Sequence, residues 1–178
     1  TRSYSFNAGE PFTHTGLQAN YVINRNWSIM GSAVTGSATG GWDGGWDKQL
    51  GNWGGIAGFT WTSDNSATSL NVTGTYGETS TRSSTSWGMY NIVLQHKINP
   101  KTLLVLHHVH GFADGVLLNN LKYTNVVKDA QWMGVVTHLY YDLTENVSVG
   151  ARAEWFRDRD GFRNPSPFRI AAATNIVN

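Results

Sequence analysis

The chain keeps a two-residue period for stretches longer than an ordinary strand needs. "LQANY" (17–21) and "LNVTGTY" (70–76) alternate Leu, Ala, Tyr, Val and Gly with Gln, Asn and Thr. That alternation sends apolar side chains to one face of a strand and polar ones to the other. Strands are expected near 13–23, 27–37, 53–62, 68–77, 85–98, 102–112, 131–142 and 146–157, with a ninth beginning near 168. Most span about 10 to 12 residues, where a strand usually has about 5 to 6. A tilted strand needs about 9 to 11 residues to cross a bilayer.

The connections alternate in length. Residues 24–26, 63–67, 99–101 and 143–146 form short turns, whereas 38–52, 78–84, 113–130 and 158–167 are long. Short turns on one rim and long loops on the other mark a transmembrane barrel, and a sandwich has no reason to segregate them.

Hairpin register tests whether one face stays apolar. Pairing about the short turns sets Tyr21 opposite Ile29, Ala19 opposite Gly31 and Leu17 opposite Ala33. It sets Trp61 opposite Leu70, Phe59 opposite Val72 and Ala57 opposite Gly74, then Leu94 opposite Val105 and Tyr90 opposite Val109. In the last hairpin Tyr141 meets Val147, Leu139 meets Val149 and Met133 meets Trp155. Partners share a face. The other face carries Gln18, Asn20, Ser28, Ser32, Ser69, Asn71, Thr73, Thr75, Asn91, Gln95, Arg152 and Glu154. A water-facing outer surface would be expected to carry Lys and Glu, but charged residues are only 14% of this chain, against about 25% in ordinary soluble domains. On the apolar face Tyr21, Trp27, Trp61 and Tyr141 fall beside the short turns, and Trp53, Tyr76, Tyr90 and Trp155 toward the long loops. Such banding places amphipathic rings where hydrocarbon meets headgroup.

Several classes are excluded or left without support. Thirteen basic and twelve acidic residues give a net charge of +1 with no basic cluster, which argues against nucleic acid. Cysteine is absent, so disulfides and thiolate metal sites are unavailable. Neither G-x-S-x-G nor H-E-x-x-H occurs. A hydrolase using His138, Asp142 and a serine would need partners that meet only in space.

The segment "RSYSFNAGEPFTHTGLQANYVINRNWSIMGSAVTG" followed by "GWDGGWD", and the later "ARAEWFRDRDGFR", resemble the OmpL-like β-barrel porins of bacterial outer membranes. The similarity runs from about Arg2 to Arg163 and rests on order and spacing rather than on one motif. It implies an outer-membrane pore with no catalytic residue to carry over. Members of that family are longer than this chain. The expectation is therefore an all-β, antiparallel up-and-down barrel wall of 8 to 9 strands, an interior segment of a larger barrel of about 14 to 18 strands.

On this reading Gln18, Asn20, Asn71, Thr73, Asn91, Gln95, His108, His110, His138, Arg152 and Glu154 line the pore. His108 and His110, on one face by alternation, would need a third ligand to hold a metal, and His138 lies nearer the turns, so no metal or cofactor is expected. Inward imidazoles would instead make the wall's charge respond to pH near about 6 to 7. His107 falls on the apolar face at mid-height, which points to a subunit contact and a homo-oligomer. "DRDG" (158–161), Asp43 and Asp47 read as turn chemistry rather than a calcium loop. Trp42 and Trp46, in the glycine-rich loop 38–52, pack that loop or, in the sharper alternative, stack on sugar. The partners expected are outer-membrane lipid and small hydrophilic solutes or ions. The rivals are a secreted carbohydrate-binding β-sandwich with exposed tryptophans and a plugged structural or adhesion barrel.

Overall fold

A computed structural model describes residues 2–3, 5–10, 14–35, 53–78, 86–118 and 122–163. Loop 38–52, with Trp42, Asp43, Trp46 and Asp47, and the ninth strand expected near 168 lie outside the described residues.

Eight antiparallel strands form one sheet in strictly sequential order. They are β1 (Thr15–Val22), β2 (Trp27–Thr35), β3 (Trp53–Thr62), β4 (Thr68–Glu78), β5 (Ser86–Asn99), β6 (Thr102–Leu118), β7 (Val126–Thr144) and β8 (Val147–Asp158). The sheet is open among the described residues, with β1 and β8 at its two edges. A β-sandwich would need a second sheet, and the described residues contain none.

The short turns are closed by side chains suited to the task. Asn24 Oδ1 accepts from the amides of Asn26 and Trp27 at 2.8 and 3.0 Å. Asn65 Oδ1 accepts from Ala67 N at 3.1 Å, and the left-handed turn residue is Ser66, with φ 54°. Asn99 Oδ1 accepts from Lys101 N at 2.9 Å, and Thr144 Oγ1 from Asn146 N at 3.3 Å. Asn and Thr side chains that cap their own turns help to fix a tight reversal.

The first and second hairpins keep the expected register. The third does not. Leu94 pairs with Leu106 and Tyr90 with His110, one residue away from the symmetric pairing, because a bulge lies between Lys97 and Asn99. One extra residue on one strand turns every side chain of the partner to the opposite face. In the fourth hairpin a bulge between Asp142 and Thr144 moves the pairing by two, so Tyr141 meets Val149 and Val135 meets Trp155. A shift of two keeps the faces intact. Residues 113–130 are not one long loop. β6 runs on to Leu118 and β7 starts at Val126, with Gly115 (φ 59°) absorbing a bulge before pairing resumes at Val116 and Lys128.

The buried cluster lies on the polar-bearing face toward the long-loop rim, built from Trp87, Met89, Val109, Ala113, Ala130 and Trp132 with Val116 and Leu118. It is covered by a π-helical turn, Ser5–Gly9, ahead of β1. Gly111 pairs with Trp132, and a Cβ there would overlap the indole ring. Gly111→Val is therefore expected to cost about 1–3 kcal/mol through overpacking. Gly31→Val, where a Cβ meets nothing within 4 Å, should be close to neutral. Thermal unfolding in detergent micelles compares the two.

Candidate functional site

Register fixes which side chains share each face. Tyr21, Ile29, Phe59, Val72, Ile92, His108, Val135 and Trp155 form one hydrogen-bonded row across all eight strands. This row begins at an aromatic beside a short turn and ends at one near the long loops, as happens when strands are tilted.

The aromatics confirm the slope. Toward the long loops, Tyr76 sits two residues nearer the turns than the position opposite Trp53, and Tyr90 two nearer than Gly88, the partner of Tyr76. Trp155 is two nearer than Arg157, which shares the row of Tyr90. The rings thus slide six residues over five strand boundaries. With about 3.4 Å per residue and about 4.8 Å between strands, that is a tilt of about 40°, inside the range of about 35–45° for spanning barrels.

At the other rim Trp27 is two residues nearer the turns than Ile29, the partner of Tyr21. Trp61 is level with Trp27, and Tyr141 is four nearer than Thr137, which shares their row. Both girdles slide the same way at similar rates. Along β3, Trp53 and Trp61 are eight residues apart, which at this tilt is a height of about 21 Å, close to the apolar band of about 25 Å in such barrels. The face between them is open to its surroundings: Leu17 is 85% exposed and Leu139 44%.

Gln18, Asn20, Asn71, Thr73, Asn91, Gln95, His138, Arg152 and Glu154 all fall on the opposite face. Their polar atoms form short ladders. Gln18 Nε2 donates to Asn20 Oδ1 at 3.2 Å, Asn71 Nδ2 to Thr60 Oγ1 at 2.9 Å, and Thr73 Oγ1 to Asn71 Oδ1 at 3.0 Å. Arg152 Nε lies 3.9 Å from Glu154 Oε2.

The histidines of β6 are reversed from expectation. His108 and His110 lie with Tyr90 on the apolar face, their ring centroids 5.7 and 5.5 Å from its own, because of the bulge in the preceding turn. His107 points inward instead. Its Nε2 is 2.8 Å from Asn91 Oδ1 and 3.2 Å from Glu10 Oε1. His107 therefore does not meet the apolar surroundings, and the subunit contact expected from it loses its support. His138 Nδ1 meets the Tyr140 hydroxyl at 3.1 Å, and Asp142 accepts from Ser148 Oγ at 2.6 Å. The two are thus engaged separately and do not form a base and its orienting carboxylate.

The "DRDG" carboxylates hold the chain. Asp158 accepts from the amides of Phe162 and Arg163 at 3.1 and 2.8 Å. Asp160 accepts from Gln131 N and meets Lys128 Nζ and Arg159 Nε at 3.2 and 3.1 Å. Burial alone would raise the Asp160 carboxyl, but these hydrogen bonds outweigh it and hold it below the usual range. Lys128 also bonds the Tyr123 hydroxyl at 3.0 Å, which raises the ammonium and lowers the phenol. Burial brings Arg163 down to about 10. This cluster lies beyond the long-loop girdle and staples the extended β6–β7 hairpin to the end of β8.

Ser5–Glu10, lying across the inward face, is the part sequence reasoning missed. Its one advance sign is Trp132, a large ring on the polar-bearing face with Gly111 and Gly134 beside it.

A tilted antiparallel sheet with two parallel aromatic girdles on an exposed apolar face and amides, hydroxyls and an ion pair on the other is the wall of a transmembrane β-barrel. The family model for putative beta-barrel porin-2, OmpL-like, matches residues 1–177. The chain belongs to this OmpL-like family of β-barrel porins. No curated protein and no solved structure matches it.

Proposed function

We propose that this chain forms the wall of a water-filled pore in a bacterial outer membrane, through which small hydrophilic solutes or ions diffuse passively. The parallel slide of the two girdles carries the reading, since it gives one face to hydrocarbon and leaves the other to water. Gln18, Asn20, Asn71, Thr73, Asn91, Gln95, His138, Arg152 and Glu154 then line the lumen. Backbone groups at the edges of β1 and β8 cannot remain unpaired in lipid. Further strands, making this an interior segment of a longer porin chain, satisfy them. Eight strands closed on themselves would leave an interior just wide enough for wall side chains, with little room for Ser5–Glu10.

The complete protein in a planar lipid bilayer is expected to give discrete ion currents. A protein that inserts but passes none would remove the channel and leave a plugged structural barrel.

A further inference from the structure

The inward face carries a patch that water would not tolerate. Val109 and Val136 are fully buried there, and Trp132 is 1% exposed. Their cover is the segment Ser5–Glu10, which is bonded to the wall at separate points. Ser5 N donates to Glu154 Oε1 at 2.6 Å, Trp132 Nε1 to the Gly9 carbonyl at 3.0 Å, and Arg163 Nε to the Ala8 carbonyl at 2.8 Å. The bed is shaped to fit: a Cβ on Gly134 would strike the Ser5 hydroxyl, and one on Gly9 would lie 3.3 Å from both Val109 and Phe156. Ser5 itself is fully buried.

The segment ends at Glu10, beside His107 Nε2 at 3.2 Å. Two cavities open on this carboxylate. One, of about 240 Å³, includes Met30, Ile56, Thr73 and Asn91 in its lining, and the other, of about 320 Å³, includes Phe6, Asn71 and Val93. Glu10 therefore stands between two hollows of an otherwise neutral stretch of wall. Across β7 and β8 this face carries Lys128, Asp142, Arg152, Glu154 and Asp158. Nearest the crosspiece, Arg152 and Glu154 lie 3.9 Å apart, and Asp158 holds the backbone of Arg163. Counting Glu10, Glu154 and Asp158 against Arg152 and Arg163, the crosspiece and the groups bonded to it carry one net negative charge.

We propose that Ser5–Glu10 is the constriction of the pore and that Glu10 gives it a preference for cations over anions. This rests on the pore reading above. A carboxylate at a narrow, poorly screened place sets the field felt by each passing ion, and its fixed position comes from His107 and from the docked segment behind it.

The test is the complete protein in planar bilayers under a potassium chloride gradient. The parent should show a cation-directed reversal potential, Glu10→Gln should bring it toward zero, and Glu10→Lys should reverse its sign. The chain has no cysteine, so Glu10→Cys can be labelled alone with a bulky cationic thiol reagent. Labelling should lower single-channel conductance by about twofold or more, whereas labelling Ala153→Cys on the lipid face should leave it unchanged. An anion-directed parent potential overturns the charge assignment. Parent currents with every Glu10 variant and its labelled form indistinguishable overturn the constriction and leave the pore standing. Absence of current from parent and variants alike overturns the pore reading, and this inference with it.

Discussion

Val72→Arg is expected to destabilise the folded protein in phospholipid bilayers by about 2–4 kcal/mol, the cost of a guanidinium near the hydrocarbon midplane. Val72 shares a row with Tyr21 and Trp155, and on its own strand it lies between Leu70, the partner of Trp61, and the girdle residue Tyr76. Thr73→Arg, at nearly the same depth but facing inward, should cost less than about 1 kcal/mol, because its charge can reach water. Denaturant-dependent folding into vesicles measures both. Equal costs, or a larger one for Thr73→Arg, would mean that the two faces are assigned the wrong way round.

That assignment was legible for β1 to β4 because no bulge interrupts the pairing beside their short turns. Asn24 and Asn65 each fold the chain back on itself, so counting outward from the turn gives the true partner. The same count failed at Asn99-Pro100-Lys101. Pro100 marks the reversal, but nothing in its neighbours says that Lys97 to Asn99 will bulge, and one residue of bulge moved His107 from the apolar face to the polar-bearing one and His108 and His110 the other way. The fourth hairpin slipped by two residues without harm to its faces, which is why Trp155 stayed in its girdle.

The far end of the β6–β7 hairpin misled for a different reason. Asp114, Gly115, Asn119 and Asn120 are turn formers and read as loop, yet Gly115 takes its positive φ at a bulge and the ladder resumes beyond it. The docked segment was harder still. Its contacts join residues about 120 to 155 positions apart, such as Trp132 with Gly9 and Arg163 with Ala8. Periodicity reports which face a residue occupies, and says nothing about a distant stretch of backbone that covers that face.

Trp132→Ala should test that cover most severely, with an expected loss of about 3–5 kcal/mol. The indole packs in the inward cluster, lies 5.9 Å from the Phe162 ring and 5.8 Å from the Arg163 guanidinium, and donates to Gly9. Trp132→Phe keeps most of the packing and should lose about 1 kcal/mol for the missing hydrogen bond. Coupling to Gly111 separates this account from a general weakening of the barrel. Without the ring, the overlap that penalises Gly111→Val disappears, so the double variant should be more stable than the two single costs predict. Denaturant titration of the four proteins in one detergent gives the coupling directly. Simple additivity would place the indole elsewhere, and with it the segment it holds against the wall.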